Sequence, residues 1–233
     1  MITRLEEDDR LRDDQNRLRY YAPYAYQSLF HQKGAIHCER LLRAANQIGK
    51  TLAAGMEWAM HLTGDYPEWW TGKRFDEPVR MWAAGVTAES TRDNPQRILL
   101  GPPQQKELWG TGAIPKARLK DIAPARGLSN AVDSIVVRWG SEGDKNPQHS
   151  VVSFKSYERG REKWQGETLH GVWFDEEPPL EIYSEGKTRT NVLQGIVIVT
   201  LTPLQGMSDL LALFEAEAEV DNPRQLDTAL QIL

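Results

Sequence analysis

Cysteine is almost absent. Cys38 is the only one in 233 residues, so no disulfide can close within the chain, and a reducing compartment is expected. No apolar run is long enough to span a bilayer, and the first residues are densely charged, unlike a secretion signal. Positive charge is not in excess either. The net charge of −5 argues against a surface that coats nucleic acid by bulk electrostatics, while leaving room for a local basic patch. His31, His37, His61, His149 and His170 lack metal-ligand spacing among themselves or with Cys38. Repeats, low-complexity tracts and interdomain linkers are missing too. With 40% hydrophobic and 26% charged residues, what remains is one soluble, intracellular core with a small appended subdomain.

Residues 3–19 mix charges of both signs, with Leu5, Leu11 and Leu18 loosely on one face, and read as a solvated helix or frayed arm. An apolar stretch over 35–43 reads as a first strand, followed by a helical pattern through Leu52, Met56 and Ala59. Residues 79–86 read as a second buried strand and 87–100 as a second helix, before a loop over 110–127. Residues 132–139 and 150–157 form an antiparallel hairpin pattern, and 171–174 and 195–201 are short buried strands. Helix-compatible sequence separates those two strands and returns over 208–220. Alternating strands and helices predict an α/β fold with a mainly parallel central sheet flanked by helices. The expected divisions are an arm over 1–20, a main domain over 21–207 and a helical subdomain or linker over 208–233.

Two motifs carry chemistry. Ala44-Ala45-Asn46-Gln47-Ile48-Gly49-Lys50-Thr51 fits the phosphate-loop (P-loop) pattern, except that Ala44 stands for the first glycine. Backbone N–H groups and the positive end of the following helix would surround phosphates. Gly49 allows close approach, Lys50 would reach the β- and γ-phosphates, and the Thr51 hydroxyl would ligate Mg²⁺. Gly-Lys-Thr alone is a weak signal; its place between a strand and an amphipathic helix strengthens it. The second motif, Val172-Trp173-Phe174-Asp175-Glu176-Glu177, ends an apolar strand in carboxylates. Asp175 is expected in the Mg²⁺ shell, and Glu176 beside the attacking water as base or orienting acceptor. Both motifs belong at the C-terminal edge of a parallel sheet, where such folds bind ligands.

With their flanks, these motifs resemble the ATPase domain of large terminase subunits of tailed bacteriophages. The features occur in the family's order: Pro23-Tyr24 with Gln27, the phosphate loop, Asp65-Tyr66-Pro67-Glu68-Trp69-Trp70, Phe174-Asp175-Glu176-Glu177, and Thr200-Leu201-Thr202-Pro203. They span about residues 21–209. The resemblance implies a P-loop ATPase with ATP and Mg²⁺, in which Gln27 reads the adenine edge and Asn46, Gln47, Ile48, Gly49, Lys50 and Thr51 hold the nucleotide. It implies that Thr200 and Thr202 form a coupling motif relaying nucleotide state to DNA movement. Implied partners are double-stranded DNA, a portal protein, a small terminase subunit and further copies in a ring, in the host cytoplasm. Asn46 stands where many relatives carry an arginine, and Lys163-Trp164-Gln165-Gly166 lacks the usual arginine finger. Arg159 and Arg161 are the candidate substitutes, with Arg43 and Arg189 behind them. The chain ends soon after the coupling strand, so the family's nuclease activity is not expected of it. Alternatives are another translocating ATPase of helicase type, a nucleotide switch, disfavoured because no Asn-Lys-x-Asp motif occurs, and a nucleotide-binding adaptor without motor activity.

Overall fold

A computed structural model describes residues 16–141, 146–202, 208–219 and 225–228. Most of the charged arm, the loop 142–145 and Pro203 lie outside them. Helix α1 (Ala25–Lys33) precedes strand β1 (Glu39–Arg43), and the phosphate loop then leads into α2 (Lys50–Thr63). Strand β2 (Arg80–Gly85) is followed by α3 (Ala88–Thr91), a π-helical turn (Arg92–Gln96) and α4 (Arg97–Leu100). Pro95 sits inside that turn, where its missing N–H and its ring disrupt regular helical bonding. Strands β3 (Leu119–Pro124), β4 (Val132–Trp139), β5 (Gln148–Ser156) and β6 (Gly171–Asp175) come next. Helix α5 (Leu180–Thr190), β7 (Ile196–Leu201), α6 (Asp209–Glu219) and β8 (Gln225–Thr228) complete the order.

The strands form one eight-stranded sheet in the order β3-β4-β5-β2-β6-β7-β1-β8. From β5 to β8 every neighbour is parallel, and β3-β4-β5 is an antiparallel extension at one edge. The period-two alternation of strand side chains divides the core into two layers. On one face Leu42, Trp173, Ile196 and Ile198 pack with Trp58 and the rest of α2. On the other, Leu41, Val172, Phe174, Val197 and Val199 pack with Ile182 and Tyr183 of α5 and Leu210 and Phe214 of α6. Continuing the alternation one step past each apolar run puts Asp175 and Thr200 on the α2 face.

Several elements differ from the sequence expectation. The first strand starts at Glu39, because the N–H groups of Ala35, Ile36 and His37 turn back to Gln32 and Lys33 carbonyls at the end of α1. The loop expected over 110–127 contains edge strand β3, whose central Lys120 and Asp121 are exposed. Beyond 208, α6 is present, and β8 pairs with β1.

Polar residues also enter the core. Arg40 on β1 and Glu57 on α2 are fully buried and form an ion pair. His31 Nδ1 lies 2.7 Å from Glu57 Oε2, and His61 packs at 3.5 Å from the other oxygen. Burial alone would raise the Glu57 carboxyl; the Arg40 charge and hydrogen bonds with His31 and His61 outweigh it and hold it well below the usual carboxylate value. This cluster ties α1, β1 and α2 together directly beneath the phosphate loop.

Candidate active site

β7 lies between the strand that feeds the phosphate loop and the strand that ends in acids. Its Thr200 is paired in register with Leu42 of β1 on one side and Asp175 of β6 on the other. Thr200 Oγ1 donates to Asp175 Oδ1 at 2.9 Å and accepts from Trp173 Nε1 at 3.0 Å. From the opposite side, Thr51 Oγ1 donates to the same Asp175 oxygen at 3.0 Å. Two segments more than a hundred residues apart therefore converge on one carboxylate oxygen.

Lys50 completes the cluster. Its ammonium group has three donors, and it uses them on the carbonyls of Ala44 (2.9 Å) and Ala45 (2.8 Å) and on Thr202 Oγ1 (3.0 Å). Thr202 in turn donates to Asn46 Oδ1 at 2.8 Å, and its N–H reaches Glu176 Oε2 at 3.3 Å. Thr200 on β7 and Thr202, just past its end, thus reach neighbouring members of the cluster. Burial lowers the Lys50 ammonium from its usual 10.5, against the nearby Glu176 and Asp175 charges that favour the cation. Asp175 is pushed up to about 6, chiefly by burial and in part by Glu176, while Thr200, Thr51 and Lys50 act in the opposite direction.

Local backbone geometry serves the cluster. Gly49 adopts φ 87° immediately before α2, a left-handed conformation that favours glycine. A Cβ there would meet Gln27 Nε2 at 2.9 Å. The α2 N-terminus has no side-chain cap, so its first N–H groups are not satisfied that way. Gln47 and Glu176, both non-glycine, have φ of 63° and 65°. Such strain persists where surrounding contacts over-determine it, and at Glu176 they do. Its N–H donates to the Thr200 carbonyl at 2.7 Å, and Tyr157 Oη approaches its carbonyl oxygen at 2.9 Å and that of Asp175 at 3.1 Å.

Gln27 sits below the loop rather than at an open surface. It is buried; its Nε2 donates to the Gly49 carbonyl at 3.0 Å and its Oε1 accepts from Tyr24 N–H at 2.9 Å. Tyr21 Oη joins it, 3.4 Å from Gln27 Oε1 and 3.1 Å from His31 Nε2. A continuous polar chain thus runs from the Arg40–Glu57 pair through His31, Tyr21 and Gln27 to the phosphate loop. Beside it, Tyr26 donates its hydroxyl to the Ile48 carbonyl and stacks on the exposed Tyr24 at 6.0 Å between ring centroids. The motif from Asp65 braces α1 from outside, with Trp70 5.2 Å from the His31 ring. Sequence reasoning missed Tyr26, Tyr157, His31 and Glu57; only Tyr157, at the end of a hairpin strand near the acids, carried any signal.

The candidate finger arginines are placed differently from one another. Arg161 Nε and Arg189 Nη2 take the two oxygens of Glu185 at 2.9 and 2.7 Å, and Arg43 lies 3.3 Å from Glu215. Arg159 follows Tyr157 and lines a small cleft with Ala88, Arg92 and Lys155 at the ends of β2 and β5.

The sequence profile of one family, the N-terminal part of T4likevirus-type terminase large subunits, matches residues 41–229. The chain belongs to this family. A terminase large subunit of Salmonella phage P22 is 40% identical over 226 residues, covering 92% of this chain and 45% of that protein. The chain therefore spans less than half the length of this terminase. One from Enterobacteria phage LP7 is 43% identical over 61 residues, covering 26% of this chain and 13% of that protein. Among solved structures, the large terminase ATPase domain of Thermus phage P74-26 matches with TM-score 0.58 at 17% identity, covering 85% of this chain and 71% of that one. The bacteriophage HK97 large terminase matches with TM-score 0.57 at 13% identity, covering 89% and 39%. These two likenesses establish the α/β fold with its mainly parallel sheet and flanking helices.

Proposed function

We propose that this chain is the ATP-hydrolysing part of a terminase, using ATP and Mg²⁺ to drive double-stranded DNA into a procapsid. The observation that carries the reading is the convergence of Lys50, Thr51, Asp175 and Glu176 at one end of the sheet. A polyphosphate over the uncapped α2 N-terminus would receive its backbone N–H groups, with Gln47, Ile48 and Gly49 forming the turn around it. Lys50 would exchange neutral carbonyl partners for phosphate oxygens, a charge-assisted bond about twice as strong.

The donor set fits Mg²⁺: a hydroxyl and a carboxylate lie side by side, both hard oxygen ligands, with space left to water and phosphate. When bound, the ion would neutralise charge on the phosphates. Thr51 and Asp175 would hold it, and Thr200 keeps Asp175 oriented. Glu176, fixed by the Thr202 N–H, would accept a hydrogen bond from the attacking water and align it. Gln27 supports the loop in this conformation; reading adenine would require its Oε1 to exchange the Tyr24 N–H for the base. The Thr202–Lys50 and Thr200–Asp175 bonds offer a route by which a change at the phosphates moves β7, as coupling to DNA would need. Portal protein, small terminase subunit and neighbouring copies in a ring are the partners this role calls for. The host cytoplasm is its place, and the finger, Arg159 or Arg161, acts within the chain or from a neighbour.

The test is Mg²⁺-dependent phosphate release by wild type, Lys50→Ala and Glu176→Gln, with ATP and GTP in competition. Release should fall at least about 100-fold in Glu176→Gln, with ATP binding retained, and ATP binding should be lost in Lys50→Ala. Equal release from all three overturns the assignment.

A further inference from the structure

A groove of about 420 Å³ opens beside Thr51, between the first turn of α2 and the π-helical turn and α4. Thr51, Arg17, Asp93, Asn94, Arg97 and Thr111 line it. Packing sets its position. A Cβ on Gly55 would meet Ile98 Cγ2 at 2.2 Å, so α4 approaches α2 this closely only because residue 55 is glycine. Gly55 lies one turn beyond Thr51 on the same helix face, and Ile98 adjoins Arg97. The close approach thereby brings Arg97 to the groove that Thr51 borders.

The charges in this groove are unbalanced. Arg97 and Arg17 are exposed and have no hydrogen bond or ion pair with the other described residues. Asp93, the carboxylate in the lining, is already held through both oxygens by Arg92, at 2.8 and 2.9 Å. Asp93 also feels the Arg97 charge, but two guanidinium groups remain against one carboxylate in a lining that includes Thr51, whose hydroxyl touches Asp175. We propose that this groove is a phosphate subsite, in which Arg97, assisted by Arg17, binds the terminal phosphoryl group of the nucleotide and the inorganic phosphate that hydrolysis releases. The inference rests on the nucleotide reading above. Water adds to the terminal phosphorus as its bond to the bridging oxygen breaks, ADP leaves, and the phosphate remains beside the two guanidinium groups. A guanidinium is suited to it because its planar donors pair with two phosphate oxygens at once.

The test is calorimetric titration with Mg²⁺ and either ADP or a non-hydrolysable ATP analogue, on wild type, Arg97→Gln, Arg97→Lys and Arg17→Gln. These side chains are exposed and make no hydrogen bond with the other described residues, so the variants should fold. Arg97→Gln should weaken the analogue by about 10- to 100-fold, the loss of one charged hydrogen-bonding partner, and leave ADP unchanged. Arg97→Lys should fall between, and Arg17→Gln should show a smaller loss in the same direction. Equal weakening of ADP and analogue, or of neither, overturns the subsite while the nucleotide reading stands. Failure of wild type to bind ADP overturns both. A short DNA duplex is the third probe: if Arg97→Gln weakens only duplex binding, the groove takes a DNA backbone phosphate and the proposal falls.

Discussion

Replacing Asp175 with Asn removes a charge whose burial the fold opposes, and the size of that opposition can be worked out. In the folded chain the carboxyl is pushed up to about 6 from its ordinary 3.8, burial being the main cause. The folded state therefore holds its proton more tightly than the unfolded chain does. Between these two values the folded state binds more protons, so stability falls as pH rises from about 4 to about 6 and stays lower above that. A gap of about two pH units corresponds to roughly 3 kcal/mol at pH 8. Asn carries no charge and keeps an oxygen for the Thr51 and Thr200 hydroxyls, which both donate to Oδ1. Asp175→Asn should thus be more stable than wild type by about 2–3 kcal/mol at pH 8, with the difference vanishing near pH 4. Urea unfolding of both proteins across that range measures it, and titrations common to the two cancel in the difference. Mg²⁺-ATP should stabilise wild type and not the variant. A difference independent of pH, or a variant less stable at pH 8, refutes the reasoning.

Three further outcomes are expected. Glu57→Ala leaves the fully buried Arg40 charge without its carboxylate, and thermal or urea unfolding should show a loss of about 3–5 kcal/mol, less for Glu57→Gln. Gly55→Ala drives a methyl into Ile98 and should cost about 1–3 kcal/mol, most of it recovered in the double variant with Ile98→Ala. Gln27→Ala removes the link from Tyr24 and Tyr21 to the Gly49 carbonyl; steady-state kinetics should show KM for ATP raised about 10-fold with a smaller change in kcat, and an unchanged KM would refute the clamp.

The Asp175 prediction bears on how the site would work. The buried Asp175 carboxylate is costly to ionise, and a divalent cation would offset its charge. Beside it, Glu176 is held at φ 65° by the Thr200 carbonyl and Tyr157. Both acids stand at the end of β6, beside β7, which carries Thr200 and runs into Thr202. The Thr200 bond to Asp175 and the Thr202 bond to Lys50 therefore meet at one end of β7. Under the function proposed above, β7 is the element whose position nucleotide occupancy would bias.

Legibility in the sequence follows the range of the forces involved. Lys50 and Thr51 could be read because a phosphate loop is made by consecutive residues, and Asp175 because it ends an apolar run. The period of two then put Thr200 and Thr202 on one face. Helix α1 could not be read this way: its buried positions are Gln27, Phe30 and His31, and two of these are polar. They are buried because groups distant in the chain supply partners, Glu57 for His31 and the Gly49 carbonyl for Gln27, and no local pattern distinguishes such a histidine from a solvated one. Strand β3 was missed for the opposite reason, since an edge strand with exposed Lys120 and Asp121 has no hydrophobic alternation to show. Arg97 is the extreme case. As an exposed arginine on a short helix it carries no signal, and only the missing side chain at Gly55 reveals what it faces. A glycine inside an amphipathic helix next to a phosphate loop is therefore a sequence observation worth following, because it marks where a second element packs closely against that helix.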